Sequence, residues 1–132
     1  MKLPTTYQQF IHKSRYARWL DDENRRETWE ETVKRYFDFF EKHLEGKSGI
    51  KSIRKELENS VLLQEIMPSM RSLMTAGEAL HRDNVAGYNC AYLAVNNKRA
   101  FDECLFILMC GTGVGFSVER REVERLPMVA DE

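Results

Sequence analysis

Two short stretches of this chain carry the residue types that could do chemistry. In GYNCAYLAV, residues 87–95, Cys90 follows a polar turn and opens a run that alternates as a strand does. A thiol there has two readings. It is a small hydrophobe packed in a core, or, if its face of the strand borders a cavity, a reactive group with the polar Asn89 before it and Gly87 allowing close approach. The second stretch is GTGVGF, residues 111–116. Glycines let backbone N–H groups approach an anion, but no Gly-Lys-Ser/Thr follows, so this is no P-loop. A dinucleotide fingerprint follows a strand and opens a helix, whereas these glycines follow a helical run and open a strand. A plain helix-to-strand turn and a close approach of backbone to a ligand both remain open. Cys104 and Cys110 lie in the apolar run between the two stretches and read as packing residues. His12, His43 and His81 have no partner at ligand or catalytic spacing and read as surface or helix-end residues.

The elements that must position these residues fall in two parts. Residues 1–67 read as helical. The segment 5–20 places Tyr7, Phe10, Ile11, Ala17 and Trp19 or Leu20 near helical spacing in a ragged stripe. A second helix is clearer: Asn24 and Glu27 fit a capping box, Trp29, Val33, Tyr36, Phe37, Phe40 and Leu44 recur at three- and four-residue steps, and Gly46 follows as a stop. A third helix is predicted over 50–66, with Ile53, Leu57 and Val61 along one side and Pro68 beyond its end. Charge-rich runs such as RRETWEE read as solvated helix faces, and the aromatic stripe reads as core. From Pro68 the composition changes to small and polar residues without sustained period, which predicts a long ordered loop with a short helix. In 90–95, Cys90, Tyr92 and Ala94 face one way and Ala91, Leu93 and Val95 the other. AFDECLFILMC then reads as a buried helix ended by Gly111, and 113–119 as a second strand. Strand, helix and strand at this length suit a βαβ crossover.

The bulk numbers bound the class. With 132 residues, 42% hydrophobic, 31% charged and a net charge of −1, this is an ordinary globular composition. Near neutrality gives no overall electrostatic reason for nucleic-acid binding. Three cysteines at irregular spacing make neither a disulfide framework nor a zinc site. No apolar run is long enough to cross a bilayer and no signal-peptide pattern opens the chain, so the reading is a cytoplasmic protein without a membrane partner.

PSMRSLMTAG, RDNVAGYNC and ILMCGTGVGFSVER together resemble the N-terminal part of ribonucleotide reductase large subunits, closest to the adenosylcobalamin-dependent class II enzymes that reduce ribonucleoside triphosphates. The resemblance runs from about Tyr7 to Pro127. It implies an α/β fold: a helical N-terminal region, 1–67, leading into the first strands of a ten-stranded α/β barrel, 68–132, incomplete in this chain. It implies thiyl-radical chemistry in which one cysteine takes the ribose 3′ hydrogen, the 2′ hydroxyl leaves as water, and two further thiols become a disulfide. Cys90 matches the N-terminal member of that reducing pair. Asn89 would sit beside the ribose, Ser72 near substrate phosphate, and the Thr112–Gly113 backbone along the substrate site. Asn96 and Asn97 occupy a turn where class II relatives often carry acidic residues near the nucleotide effector, so the resemblance gives no effector contact here. The radical cysteine, its partner and the C-terminal thiol pair have no counterpart in the chain. The resemblance therefore implies part of a larger enzyme: a split-gene product, an intein-interrupted half or a truncation. Its partners would be the remaining portion of the reductase, a ribonucleotide substrate and a thioredoxin-like or other dithiol reductant, with adenosylcobalamin held mainly elsewhere. The alternative is a non-catalytic remnant that binds nucleotide or a partner.

Overall fold

In the computed structural model, which describes residues 3–46 and 49–128, hydroxyl side chains start the first helices. Thr5 and Gln8 form a reciprocal capping box on helix α1, Thr6–Ile11. The chain then widens into a π-helical turn, His12–Tyr16, and leaves helical geometry at Ala17. A small antiparallel hairpin follows, β1 (Trp19–Leu20) pairing with β2 (Arg25–Arg26), with Asn24 in the left-handed region at φ 50°. The single helix expected over 5–20 is thus a short helix, a π turn and the first strand of a hairpin.

The long amphipathic helix is present as α2, Trp29–His43, but its cap is Thr28 with Glu31, not Asn24 with Glu27. Both pairs have the same spacing. Thr28 prevails because Glu27 is drawn inward to a buried ion pair. Glu30 and Glu31 in the first turn and Lys42 and His43 in the last suit the helix dipole. Helix α3, Ile50–Leu62, packs against α2, and the Trp29 indole donates to Leu62 O at 3.2 Å. Leu3, Trp29, Val33, Phe37, Val61 and Leu73 form the core between these elements. On the outside, Arg54 of α3 pairs with Asp38 and Glu41 of α2 and with its own Glu58.

Beyond Pro68 the expected loop contains two short helices, α4 (Met70–Thr75) and α5 (Glu78–Arg82). Composition changes at Pro68, whereas packing divides the chain after Arg82, into residues 1–82 and 83–132. Leu73 of α4 is part of the first unit's core.

RRETWEE is not a solvated face throughout. Glu27 is buried and accepts from the Arg35 guanidinium (2.8 and 3.2 Å), the Arg18 N–H (3.0 Å) and the Thr32 hydroxyl (3.0 Å). Burial pushes this carboxyl up, but the bonds from Arg35, Arg18 and Thr32 outweigh it and hold it below the usual range. His12, expected at the surface, is buried edge-on against Trp29, with Nε2 2.9 Å from Thr32 Oγ1. Thr32 spends its one hydrogen on Glu27, so its oxygen accepts and His12 donates from Nε2. Burial and the neighbouring Lys13 lower the His12 pKa, against a smaller opposing pull from Glu27.

The second unit is a parallel pair, β3 (Cys90–Ala94) and β4 (Gly113–Ser117), joined by helix α6 (Arg99–Met109) and followed by α7 (Arg120–Val123). That is the βαβ crossover the spacing predicts. Helix α6 differs from expectation in burial: of its side chains only Ala100 is buried, while Phe101, Leu105, Phe106, Leu108 and Met109 are exposed. The described residues therefore mix a mostly helical unit with a few short strands. None of their helices is long and apolar enough to cross a membrane.

Candidate active site on the Cys90 strand

Cys90 is the first residue of β3, and the chain reaches it through a built turn. Asp83 caps the 3-10 turn Asn84–Gly87 by accepting from Val85 N–H at 2.8 Å, and Tyr88 N–H closes onto Val85 O at 3.1 Å. The Thr112 hydroxyl lies 2.9 Å from Val85 O and 3.0 Å from Tyr88 O, sharing its hydrogen between the two carbonyls. Gly113 N–H donates to Asn89 O at 3.0 Å. The entry to β3 is therefore pinned to the entry to β4 at two adjacent points. Thr112 is 1% exposed, and its side chain holds backbone rather than facing solvent.

The GTG stretch is the end of α6. Gly111, at φ 85°, donates to Leu108 O at 2.9 Å, and Thr112 N–H donates to Ile107 O at 3.2 Å. That pair of bonds is a Schellman stop, which requires a left-handed residue and so favours glycine. The N–H groups of 111, 112 and 113 are all engaged within the chain, so the loop offers no anion cradle of free backbone donors.

Gly113 supplies something else. In a parallel pair, partnered residues project to the same side. Cys90 pairs with Gly113, Tyr92 with Gly115 and Ala94 with Ser117. The Cys90 face thus has a thiol and a phenol on one strand and two residues without side chains on the next. A Cβ at Gly113 would meet Asn89 O at 3.5 Å, and at Gly115 Ala91 O at 3.9 Å, both ordinary contacts. Packing within the unit does not require glycine at either place. The consequence is an uncovered strip of backbone beside Cys90. Cys90 and Asn89 are exposed, and Tyr92 is 68% exposed. Among the described residues the Cys90 thiol is free, as are those of the half-buried Cys104 and Cys110.

The structure brings Asn89, Cys90, Thr112 and Gly113 together at the start of the strand pair. Ser72 belongs to the first unit, half-buried on α4, with its N–H directed to Ser69 Oγ at 3.4 Å. At the far end of the pair, the Asn96 amide donates to Glu122 of α7 at 3.3 Å and the Asn97 amide to Asn96 at 2.8 Å. Sequence reading missed the Glu27, Thr32, Arg35 and His12 network. Those residues stand up to 23 positions apart with no motif spacing, and only the fold of the hairpin over α2 joins them. Among the described residues no three His, Cys, Asp or Glu side chains are grouped to hold a metal ion.

Residues 2–78 match the family model of the ribonucleotide reductase alpha domain. The adenosylcobalamin-dependent ribonucleoside-triphosphate reductase of Lactobacillus gasseri is 29% identical, over 88% of this chain and 20% of that protein. Its namesake from Levilactobacillus brevis is 30% identical, over 89% and 20%. The crystal structure of a B-12 dependent (class II) ribonucleotide reductase superposes with a TM-score of 0.74 at 26% identity, covering 90% of this chain and 21% of that one. The chain spans about a fifth of the length of the curated relatives it matches. It belongs to the ribonucleotide reductase alpha-domain family, homologous to the N-terminal part of the class II, adenosylcobalamin-dependent members.

Proposed function

We propose that this chain is the N-terminal part of a ribonucleotide reductase acting on ribonucleotides, most simply triphosphates as in its relatives' names, and that Cys90 supplies one of the two reducing thiols. The observation that carries this is the free, exposed Cys90 thiol on a pinned strand, beside the side-chain-free strip of Gly113 and Gly115. A group that must reach a sugar face needs a rigid mount and an uncrowded neighbour. In the overall reaction two thiols give up two hydrogens and join as a disulfide, the ribose 2′ hydroxyl leaves as water, and the 2′ carbon becomes CH2. An external dithiol then restores the thiols by exchange. Asn89, exposed beside Cys90, faces the ribose. Ser72 is a hydroxyl contact to substrate phosphate in the complete enzyme. Thr112 acts by holding the turn and Gly113 by leaving space.

The strand pair is, in this reading, the opening of a ten-stranded barrel whose later elements cover the apolar side chains of α6. Adenosylcobalamin, which the relatives' names carry, is assigned in this reading to the rest of the enzyme, and no step on this chain is routed through it.

The test is multiple-turnover ribonucleotide reduction by this chain joined to the remaining portion, with an external dithiol. Cys90→Ser nearly conserves volume but cannot form a disulfide, so sustained product formation should stop. Cys104→Ser, on α6, should turn over as wild type. Normal turnover by Cys90→Ser, or a Cys90 that stays a free thiol while product accumulates, overturns the assignment.

A further inference from the structure

We infer that Arg35 and Arg18, organised by the buried Glu27 carboxylate, are positioning residues that grip the C-terminal carbonyls of α4 and so set where Ser72 stands. The inference rests on the proposed contact between Ser72 and substrate phosphate.

Helix α4 has six residues, too few to hold its own geometry. Its Ser69 cap is long, at 3.4 Å to Ser72 N–H. Burial of Leu73 fixes one side. A further restraint is at the C-terminal end, where the last carbonyls of a helix lack intrahelical partners. Arg35 Nη1 donates to Leu73 O at 3.3 Å and Ala76 O at 2.5 Å, and Arg18 Nη2 donates to Met74 O at 2.6 Å. Two guanidinium charges thus sit where the helix dipole is negative.

The Arg35 fork cannot swing freely. Nε and Nη2 bind the two Glu27 oxygens, and Nη2 also donates to Tyr16 O at 3.2 Å. Glu27 and Arg35 side chains are 5% and 18% exposed. Glu27 also takes the Arg18 N–H, so both arginines are referenced to one carboxylate. A planar guanidinium bonded on all sides transmits its orientation to the carbonyls it holds. Gly77, at φ 104°, turns the chain away just past this grip, against the Arg35 stem.

Arg35→Lys keeps the charge against Glu27 and loses the fork, which separates placement from the ion pair itself. In the 132-residue chain, the Leu73 and Ala76 amides should exchange about tenfold faster, the scale of one charge-assisted hydrogen bond, while the Leu63 amide at the end of α3 keeps its wild-type rate. In the complete reductase the same variant should raise KM for ribonucleotide about tenfold and leave kcat within about twofold, as loss of uniform binding does. Arg18→Ala removes only an exposed side chain's bond to Met74 O and serves if Arg35→Lys does not fold; it should show the same pattern more weakly. Unchanged α4 exchange in these variants, or equal acceleration across the whole first unit, overturns the inference. So does an unchanged KM where Ser72→Ala raises it. Should Ser72→Ala itself leave KM unchanged, the Ser72 contact is what fails, and α4 exchange alone decides whether the arginines hold the helix.

Discussion

The two units of this chain hold their parts by different means. Residues 1–82 close over a core of large side chains and bury a charged network within it, with Glu27, Thr32, Arg35 and His12 satisfied by one another. Residues 83–132 carry the thiol and the glycine strip, yet among their described apolar residues bury only Val95 and Ala100 and expose Phe101, Leu105, Phe106, Leu108 and Met109. Stability and the candidate thiol chemistry are thus separated along the sequence. A strand pair with helices α6 and α7 is held mainly by backbone bonds and a few pinning contacts, and such a unit has little apolar burial to offset its conformational entropy.

The sharpest way to break this comparison is to cut the chain after Arg82. Residues 1–82 alone should keep helical circular dichroism and a cooperative thermal transition. Residues 83–132 alone should show neither, because a two-stranded sheet is marginal in water. A cooperative melt from the second piece would remove the contrast.

Next in size are single core changes. Trp29→Ala should cost about 3–5 kcal/mol in chemical unfolding, from the cavity it leaves in the first unit, and it also loses the bond to Leu62 O. Met109→Ala, at a side chain 79% exposed, should stay within about 0.5 kcal/mol. Comparable losses at the two positions would mean that α6 is far better packed than its exposure indicates.

How much of this was legible in the sequence follows from the range of the interactions. Helix α2 was legible because Trp29, Val33 and Phe37 repeat locally and all three turn inward. The alternation around Cys90 and the crossover to residue 113 were legible for the same reason, and the pairing is parallel, as a helical connection of this length allows. The start of α2 was not, since Asn24–Glu27 and Thr28–Glu31 have equal spacing and only the Arg35 partner decides between them. His12 looked like a surface residue because the hydroxyl it binds is 20 positions away. The apolar run of α6 indicated burial, but periodicity reports which face wants covering, not whether anything covers it. At the candidate site, residue types at 89, 90 and 113 were readable, whereas the work of Thr112 was not. Its hydroxyl reaches carbonyls 24 and 27 residues earlier.

Thr112→Val sharpens the comparison from the other side, by testing whether the second unit depends on pinning bonds. The change keeps shape and removes the hydroxyl shared between Val85 O and Tyr88 O. Leaving these carbonyls without their donor should cost about 1–3 kcal/mol, read as faster exchange at the Gly113 and Tyr88 amides with the Leu73 amide unmoved. Wild-type exchange at Gly113 would show that the strand pairing alone fixes the entry to β3.

The smallest expected effect is in the pH dependence of the first unit. His12 is buried as the neutral imidazole, with its pKa lowered from 6.5 by burial and by Lys13, against a weaker upward pull from Glu27, and Arg35 lowers it further. Below that unfolded value the unfolded chain takes up a proton that the folded chain resists. Stability therefore falls as pH drops through the range between 6.5 and the lower folded-state value, and is fully retained above it. Glu27 and Glu31 act in a separate window. Their carboxyls are held below the ordinary 4.5, Glu31 at about 2 chiefly by Arg25, so they withdraw stability only in stronger acid. The melting temperature of residues 1–82 should thus decline modestly from about pH 7.5 to about pH 5.5. His12→Gln keeps a donor for Thr32 without a titrating ring and should flatten that decline. If the slope persists in His12→Gln, the imidazole is not its source, and the buried network contributes packing and placement without a proton-linked term near neutrality.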